Sequence, residues 1–300
     1  MKNLIKYYYD FEIDRIIYCD GEYKFHYSSY EYCLLNINKS IEEINDIYML
    51  SIDLHRLNFP CHEIIKNKDN LLITSVQQKK YILLKKYVVS TEPVTLEDIA
   101  YFNLNTSYNW NYKNINRTSW INLWSKKVDY YEYQINQISK QYKFLYNTLN
   151  YYLGITENGM QILKIINPTG KVSICHDRIN KNMKLTDFYN PLNFVVDYRI
   201  RDISEYCKQN LINISEYEYI KIFSIINNAF EPNDAIMFFI RSFLPTFYFD
   251  LYEKIIIGGL KTNEIIEIFN NTKQYEIFLK KIYDFIKTYI RIPKIEWLDG

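Results

Sequence analysis

Two short apolar segments in the middle of the chain each lead to a carboxylate, a side chain used in phosphoryl-transfer sites. One segment ends at Cys175 with Asp177 two residues later, and the other ends at Val196 with Asp197 directly after it. Apolar runs of this length between polar turns are typical of buried strands. A phosphoryl-transfer site needs one carboxylate that orients the nucleophile and another that holds Mg²⁺. If both strands end at the same edge, this pair of acids predicts such a site.

Further charged side chains accompany these two acids. His176 and Arg178 lie beside the first acid, and Arg201 and Asp202 follow the second strand. Asp202 stands at the start of a run with helical periodicity, and Glu205 is three residues further on, which is the spacing of a capping box. We therefore expect Asp202 to be the N-cap of a helix.

This arrangement resembles the small-molecule kinases of the aminoglycoside and choline phosphotransferase superfamily. Their loop reads His-Gly-Asp, with an Asn five residues after that Asp, and a later strand ends on a metal-binding Asp. His176, Asp197 and Asp202 fall on matching positions of this sequence. The position of the catalytic Asp holds Arg178, however, and the position of the Asn holds Met183.

The residues that differ from the kinase pattern are those that would perform catalysis and bind the metal. Asp177 and Asn182 are each one residue early, and a shift of one residue changes the direction of a side chain. In an active enzyme, Asp177 and Asp197 would be the catalytic pair, and Asp197 and Asn182 would hold the metal. A guanidinium neither accepts a proton at neutral pH nor binds Mg²⁺. Arg178 could instead pair with Asp197 or Asp202 and fill the metal site with its own charge.

One branch of the superfamily has a similarly altered loop. The spore-coat kinase-like proteins of Firmicutes, the CotS and YutH group, carry Cys-His-x-Arg-Phe where the kinases have His-Gly-Asp-Leu. Residues 175–179 of this chain read Cys-His-Asp-Arg-Ile, which resembles that loop. Residues 197–206, DYRIRDISEY, resemble the Asp-His-x-x-Arg-Asp-Leu-Ala-Glu-Trp stretch of the group, and residues 292–298, IPKIEWL, resemble its Ile-Pro-x-Ile-x-Trp-Leu ending.

The resemblance implies a non-catalytic, kinase-like protein (a pseudokinase) of the endospore coat that acts in sporulation as a coat-assembly or interaction component. It would be made in the cytoplasm, lie at the spore coat or forespore surface, bind other spore coat proteins and need no cofactor. His176, Arg178, Arg201 and Asp202 would then form a structural network. The alternative is an active phosphotransferase that moves phosphate from ATP, with Mg²⁺, to a hydroxyl of a small molecule. An unrelated structural protein from an AT-rich genome is a third possibility.

The order of the strand and helix patterns around these residues, together with the family resemblance, predicts an α+β, protein-kinase-like fold of two lobes. Residues 1–90 read as a small β-rich lobe and residues 91–300 as a mainly helical lobe. The first lobe should contain a hairpin with an Asp20-Gly21 turn. Further strands are expected at 30–35, 71–74 and 81–87, and a helix is expected at 41–58. Unlike active kinases, it has one glycine in the first turn, and no Lys in the third strand where one would grip phosphate.

In the second lobe, helical periodicity predicts a run of helices. Thr95 should begin the first of these, and Trp120, Leu123 and Trp124 should share one buried face of the next. Gly154 should end a long helix. The helices are expected over 128–153, 203–211, 220–230, 233–244 and 263–289.

Composition limits the classes of partner. The formal net charge of the 300 residues is +1, so there is no electrostatic case for nucleic acid or an anionic membrane. The most apolar stretch, 235–244, is too short to span a bilayer. Five cysteines without a CxxC pair favour reduced, buried thiols in an intracellular protein. Lys85 and Lys86, at the end of a strand, read as a solvated edge.

Overall fold

The computed structural model describes residues 1–19, 21–138, 143–180, 182–209, 214–258 and 262–299. The chain folds into two units. The first comprises Met1–Val94, Asn111–Asn116 and Asn182–Val195, and the second comprises Thr95–Trp110, Arg117–Lys181 and Val196–Gly300. The expected lobes at 1–90 and 91–300 remain a prediction.

The first unit is built on an antiparallel sheet whose strands follow the order β1-β2-β3-β6-β4, with β5 also paired to β6. The β-rich character predicted for this part of the chain is therefore correct. Its elements are α1 (Lys2–Tyr9), β1 (Ile17–Cys19), β2 (Glu22–Tyr27), β3 (Tyr30–Ile37), α2 (Ile41–Arg56), β4 (Glu63–Ile65), β5 (Thr74–Val76), β6 (Lys79–Lys86) and a short α6 (Leu185–Phe188).

The predicted hairpin is formed by β1 and β2, which pair with Cys19 opposite Glu22. Gly21 has a φ of 83°, a left-handed conformation that glycine adopts without steric cost. Asp20, the other residue of the predicted turn, lies outside the described residues. Alternate side chains of the sheet face an apolar core in which Phe25, Leu34 and Leu83 are buried.

The helix predicted after β3 is α2, and its start is the one expected. The Ser40 hydroxyl accepts a hydrogen bond from the Glu43 amide at 3.1 Å, and the Glu43 carboxylate accepts one from the Ser40 amide at 3.1 Å. This capping box satisfies two backbone donors that the first turn leaves unpaired. The helix ends at Arg56, two residues before the predicted end.

Two strand predictions in this unit need correction. The strand placed at 71–74 is β5, at Thr74–Val76, and Leu71 is an exposed loop residue. Lys86 is not on a solvated edge, because β6 lies between β3 and β4 in the sheet. Its side chain is 8% exposed and its Nζ lies 2.8 Å from Glu31 Oε1. Burial of the stem beside a carboxylate is how a lysine is accommodated inside a fold.

The second unit is mainly helical and carries one strand and part of another. Its elements are α3 (Leu96–Asn105), α4 (Trp120–Ile138), α5 (Lys143–Ile166), β7 (Val172–His176), the end of β8 (Phe194–Tyr198), α7 (Arg201–Gln209), α8 (Glu216–Ala229), α9 (Pro232–Ser242), α10 (Thr246–Gly258), α11 (Thr262–Ile286) and α12 (Glu296–Asp299). Two of these helices, α10 and α12, were not predicted from the sequence. None of the described helices is long and apolar enough to cross a membrane.

The long helix predicted at 128–153 corresponds to parts of two described helices, α4 and α5, and residues 139–142 lie outside the described residues. Gly154 does not end a helix, since it lies inside α5. Trp120 and Trp124 are buried as expected and stack with ring centroids 5.4 Å apart. Leu123 is 36% exposed, so the shared buried face holds the two tryptophans only.

The two strands that the sequence places around the candidate site pair with each other as β7 and β8. Arg199 donates its backbone N–H to the carbonyl of Lys171 at 2.9 Å just beyond the strand ends. Four of the five cysteines are buried and all are free thiols, whereas Cys19 is exposed, contrary to the prediction that all are buried.

Candidate functional site

A small cavity in the second unit collects most of the charged residues that the sequence singles out. Its volume is about 140 Å³. Side chains from the ends of β7 and β8 and from α4, α7, α9 and α10 line it. The basic ones are Arg117, Lys127, Arg178, Arg201 and Arg241, and the acidic ones are Asp177, Asp197, Glu205 and Asp250.

Asp197 is fully buried at the end of β8, and its two carboxylate oxygens have different surroundings. Oδ1 accepts hydrogen bonds from Trp120 Nε1 and from the Tyr198 amide, each at 2.7 Å. Oδ2 lies 3.4 Å from Arg201 Nη1 and has no hydrogen-bond partner among the described residues. Burial raises the pKa of Asp197, while Arg201 and Arg241 oppose that shift.

Arg201, the first residue of α7, is 6% exposed. Its Nη2 donates to the backbone carbonyl of Asp177 at 3.3 Å, but Nε and Nη1 have no hydrogen-bond partner in the described part of the chain. Burial works to lower the pKa of Arg201, and the neighbouring Asp197 and Glu205 raise it above its usual range. The guanidinium therefore stays charged inside the fold with part of its donor capacity unused.

His176 and Asp202 form a buried pair that joins β7 to α7. The Asp202 carboxylate accepts from the His176 amide at 3.0 and 3.1 Å, and His176 Nδ1 lies 2.6 Å from Asp202 Oδ2. Asn103 Nδ2 of α3 donates to the same carboxylate at 3.4 Å. The N-cap predicted for Asp202 is wrong, because α7 begins one residue earlier and the carboxylate binds the strand rather than the helix start.

Arg178 and Asp177 lie at the rim, and both are exposed. Arg178 Nη2 forms an ion pair with Asp250 Oδ1 of α10 at 3.2 Å. The sequence suggested Asp197 or Asp202 as partners of Arg178, but in the structure Arg201 lies beside the first and His176 beside the second. Burial raises the pKa of Asp250, and the nearby Arg178 and Lys127 counteract that shift.

Glu205 anchors a second ionic cluster at the base of the cavity. Its Oε1 accepts from Lys208 Nζ at 2.9 Å and from Arg241 Nε at 2.7 Å, and Thr246 donates to Oε2. Although burial opposes it, Lys208 and Arg241 hold the pKa of Glu205 well below its usual range. Burial lowers the pKa of Lys208 to about 8. Glu205 is thus fully engaged by the protein, a role that local sequence did not indicate.

The donor set fits Mg²⁺ poorly. Mg²⁺ binds oxygen ligands in a near-octahedral shell. The free oxygen of Asp197 already has a guanidinium 3.4 Å away.

The fold is that of the aminoglycoside and choline phosphotransferase-like kinases. An aminoglycoside phosphotransferase from Alicyclobacillus acidocaldarius superposes with a TM-score of 0.58 at 9% identity, over 92% of this chain and 93% of that one. A spectinomycin phosphotransferase, solved with ADP and spectinomycin, gives 0.55 at 12% identity over 95% and 97%. A microcompartment-associated aminopropanol kinase gives 0.54 at 9% identity over 92% and 93%. At these identities the likeness concerns the fold alone.

Within this class, the chain belongs to the family described as "Spore coat putative kinase YutH", whose sequence model matches residues 2–282. The family resemblance and the fold class expected from the sequence are confirmed. The family description also associates the protein with the spore coat. No curated protein matches the chain.

Several residues of the cavity were missed from the sequence. Lys127, Arg241 and Asp250 come from helices distant along the chain, and no local pattern links them to the strand ends. Trp120 was expected only as a core residue, yet its indole N–H also binds Asp197. The one available signal was the spacing of Asp197 and Arg201, four residues apart and of opposite charge.

Proposed function

We propose that this protein is a non-catalytic, kinase-like component of the endospore coat that acts in sporulation through binding other coat proteins. The observation that carries the proposal is that two arginines, Arg178 and Arg201, line the cavity. Arg178 stands where the resembling kinases have their catalytic Asp, and the Arg201 guanidinium lies 3.4 Å from the free oxygen of Asp197.

The physical argument concerns charge. A second cation placed at Asp197 would be repelled by Arg201, whose charge is only weakly screened at a buried position. Arg178 cannot take a proton from a hydroxyl nucleophile at neutral pH. Loss of both roles removes the two tasks that a phosphoryl-transfer site needs. No cofactor is therefore part of the proposed function.

The role in the coat rests on membership of the family and on the surface charge. A net charge of +1 gives no reason to expect nucleic acid or an anionic membrane as partner, which leaves other proteins of the coat. We propose that the protein is made in the cytoplasm and assembles at the forespore surface or in the spore coat.

Mg-ATP tests the proposed loss of catalysis. A ligand that binds only the folded state raises the melting temperature by mass action. The ATP concentration should be about 5 mM, with Mg²⁺, which is above the KM values of most enzymes. We expect the melting temperature to stay unchanged and ATP to be hydrolysed no faster than without the protein. A saturable rise in melting temperature accompanied by turnover would refute this part of the proposal.

The coat role needs a separate experiment. An epitope-tagged chain should appear in coat extracts of purified spores and should be lost from the spores when the coat is stripped. Recovery only from the spore core would contradict the assignment to the coat, whatever the result with ATP.

One observation favours an alternative, an active small-molecule phosphotransferase. Asp177 and Asp197 both line the cavity, so two carboxylates are available within one site. In this alternative Asp177 orients the hydroxyl of the substrate, and Asp197 with Asn182 holds the Mg²⁺ of ATP. Any ATP turnover should then disappear in Asp177→Asn, whereas Asp129→Asn, a change of an exposed acid on α4, should leave it intact.

A further inference from the structure

Two residues that line the cavity, Asp197 and Arg201, carry buried polar atoms without a hydrogen-bond partner among the described residues. Arg201 Nε and Nη1 and Asp197 Oδ2 have no hydrogen-bond partner among the described residues, and both residues are more than nine-tenths buried. Leaving a buried donor or acceptor unpaired costs free energy, and a charged group costs most. A ligand or ordered water that pairs with these atoms would recover that cost.

The unsatisfied atoms specify what a ligand must offer. Two nitrogens of Arg201 need acceptors, and one oxygen of Asp197, 3.4 Å from Nη1, needs a donor. The ligand must therefore carry acceptor and donor atoms side by side. The other acid at the base of the cavity, Glu205, is already bound by Lys208, Arg241 and Thr246 and makes no such demand.

Charge and size narrow the class of ligand further. Five basic and four acidic side chains line the cavity, so the lining favours an anion. Lys127 and Arg178 both line the cavity, and Arg178 is paired with Asp250 at 3.2 Å. The cavity holds about 140 Å³, less than the roughly 300 Å³ at which pockets for drug-sized ligands begin. A small oxyanion fits this space and a nucleotide does not.

We propose that this cavity binds inorganic hydrogen phosphate, with Arg201 donating to its oxygens and its P–OH donating to Asp197 Oδ2. Hydrogen phosphate keeps a proton near neutral pH, whereas sulfate has none and phosphate monoesters, whose second pKa is about 6, have largely lost theirs. Only an anion with a proton satisfies both members of the pair. Binding needs neither Mg²⁺ nor nucleotide.

Calorimetric titration of the full chain with sodium phosphate near neutral pH and at constant ionic strength, without Mg²⁺ or nucleotide, tests the proposal. Sodium sulfate and phenyl phosphate serve as anions without a donor. We expect saturable phosphate binding that is at least about tenfold tighter than binding of either control, because they leave Asp197 facing an acceptor. Equal affinities for phosphate and sulfate, or no binding of phosphate, would overturn the proposal.

Asp197→Asn tests the role of the carboxylate directly. Trp120 Nε1 and the Tyr198 amide both donate to Oδ1, so the amide oxygen should take that position and the amide N–H₂ should replace Oδ2. The position then donates rather than accepts, and sulfate should bind at least as tightly as phosphate. A preference for phosphate that survives in the folded variant would rule out the proposed hydrogen bond.

A pair of neighbouring lysines tests the location without changing either member of the buried Asp197–Arg201 pair. Lys127 lines the cavity, whereas Lys126 on the same helix is exposed and does not. Lys127→Gln should weaken phosphate binding about threefold or more and Lys126→Gln should not, since the field of a charge falls off with distance. Equal effects would place the anion elsewhere. ATP turnover would refute the proposed lack of catalysis but would not alter these binding preferences.

Discussion

Asp197 is fixed by hydrogen bonds on one oxygen and faces only a charge on the other. Trp120 and the Tyr198 amide set the direction of the carboxylate, and Arg201 neutralises it from 3.4 Å. In an active phosphotransferase a metal ion would supply that neutralisation. A side chain of the protein supplies that charge here, and Asp197 Oδ2 keeps no hydrogen-bond partner among the described residues.

Asp202 offers a test of the buried His176–Asp202 pair. Replacing it with Asn removes the negative charge that the His176 amide and ring bind at 2.6–3.1 Å. Breaking a buried pair leaves its partner without compensation, at a cost of several kcal/mol. We expect Asp202→Asn to lower the free energy of unfolding by roughly 3 kcal/mol, as measured by urea denaturation.

The matched control is Asp129→Asn, the same chemical change on an exposed face of α4. Such a surface change should alter stability by less than about 0.5 kcal/mol. If the two variants unfold at the same urea concentration, the pair contributes nothing and the contact is incidental.

The sequence could supply part of this site and not the rest. His176, Asp197 and Asp202 were recognisable because they lie at the ends of local patterns, two strands and a helix start. The partner of Arg178 was not, because Asp250 is 72 residues away and its approach depends on how α10 packs. Ionic partners chosen by tertiary packing leave no mark on local spacing.

Among the secondary-structure elements, local start signals identified α2 and α3 correctly, whereas the same spacing at Asp202 predicted an N-cap that α7 does not have. The capping boxes at Ser40 and Thr95 each link residues three apart, so the sequence alone contains them. The burial of Lys86 was missed because it depends on the strand order, in which β6 lies between β3 and β4. Gly154 was misread as a stop signal because glycine is common just after helices, whereas here it lies within α5.

Two glycines of α5 give a matched pair of substitutions. A Cβ added at Gly154 would meet nothing within 4 Å, while one added at Gly159 would lie 2.5 Å from Phe243 Cβ. Gly154→Ala should stabilise the protein by about 0.5–1 kcal/mol, since alanine loses less backbone entropy in a helix. Gly159→Ala should destabilise it by about 1–3 kcal/mol through overpacking.

Thermal or urea unfolding of the two variants measures both effects. The helix propensity gained is the same at the two positions, so the difference between them isolates the close packing of α5 against Phe243. Equal stabilisation of both variants would show that this contact relaxes freely.

At the scale of the whole molecule, the first unit is discontinuous in sequence. Its sheet is made by residues before Val94, but residues 182–195 return to it from far along the chain. His62 donates its amide to the Tyr189 carbonyl at 3.0 Å, and Val94 donates to the Met183 carbonyl at 2.8 Å. The first unit therefore combines segments that are far apart in the sequence.

Because residues 182–195 are part of the first unit, we predict that residues 1–94 do not fold alone. Without 182–195 the fragment leaves the His62 and Val94 amides and the His62 ring, 2.8 Å from the Thr186 carbonyl, without their partners. Small domains have little stability in reserve, so such losses matter. We expect the fragment to lack a cooperative melting transition by circular dichroism, and a synthetic 182–195 peptide to restore one as its concentration rises.

A proline variant of the peptide makes the test specific. Leu185 donates its amide to the Glu92 carbonyl at 3.0 Å and is the first residue of α6. Proline is tolerated at the first position of a helix but has no N–H to donate. The Leu185→Pro peptide should therefore restore folding less well, requiring roughly fivefold more peptide for the loss of about 1 kcal/mol. A cooperative transition in the fragment alone would show instead that residues 1–94 fold without the 182–195 segment.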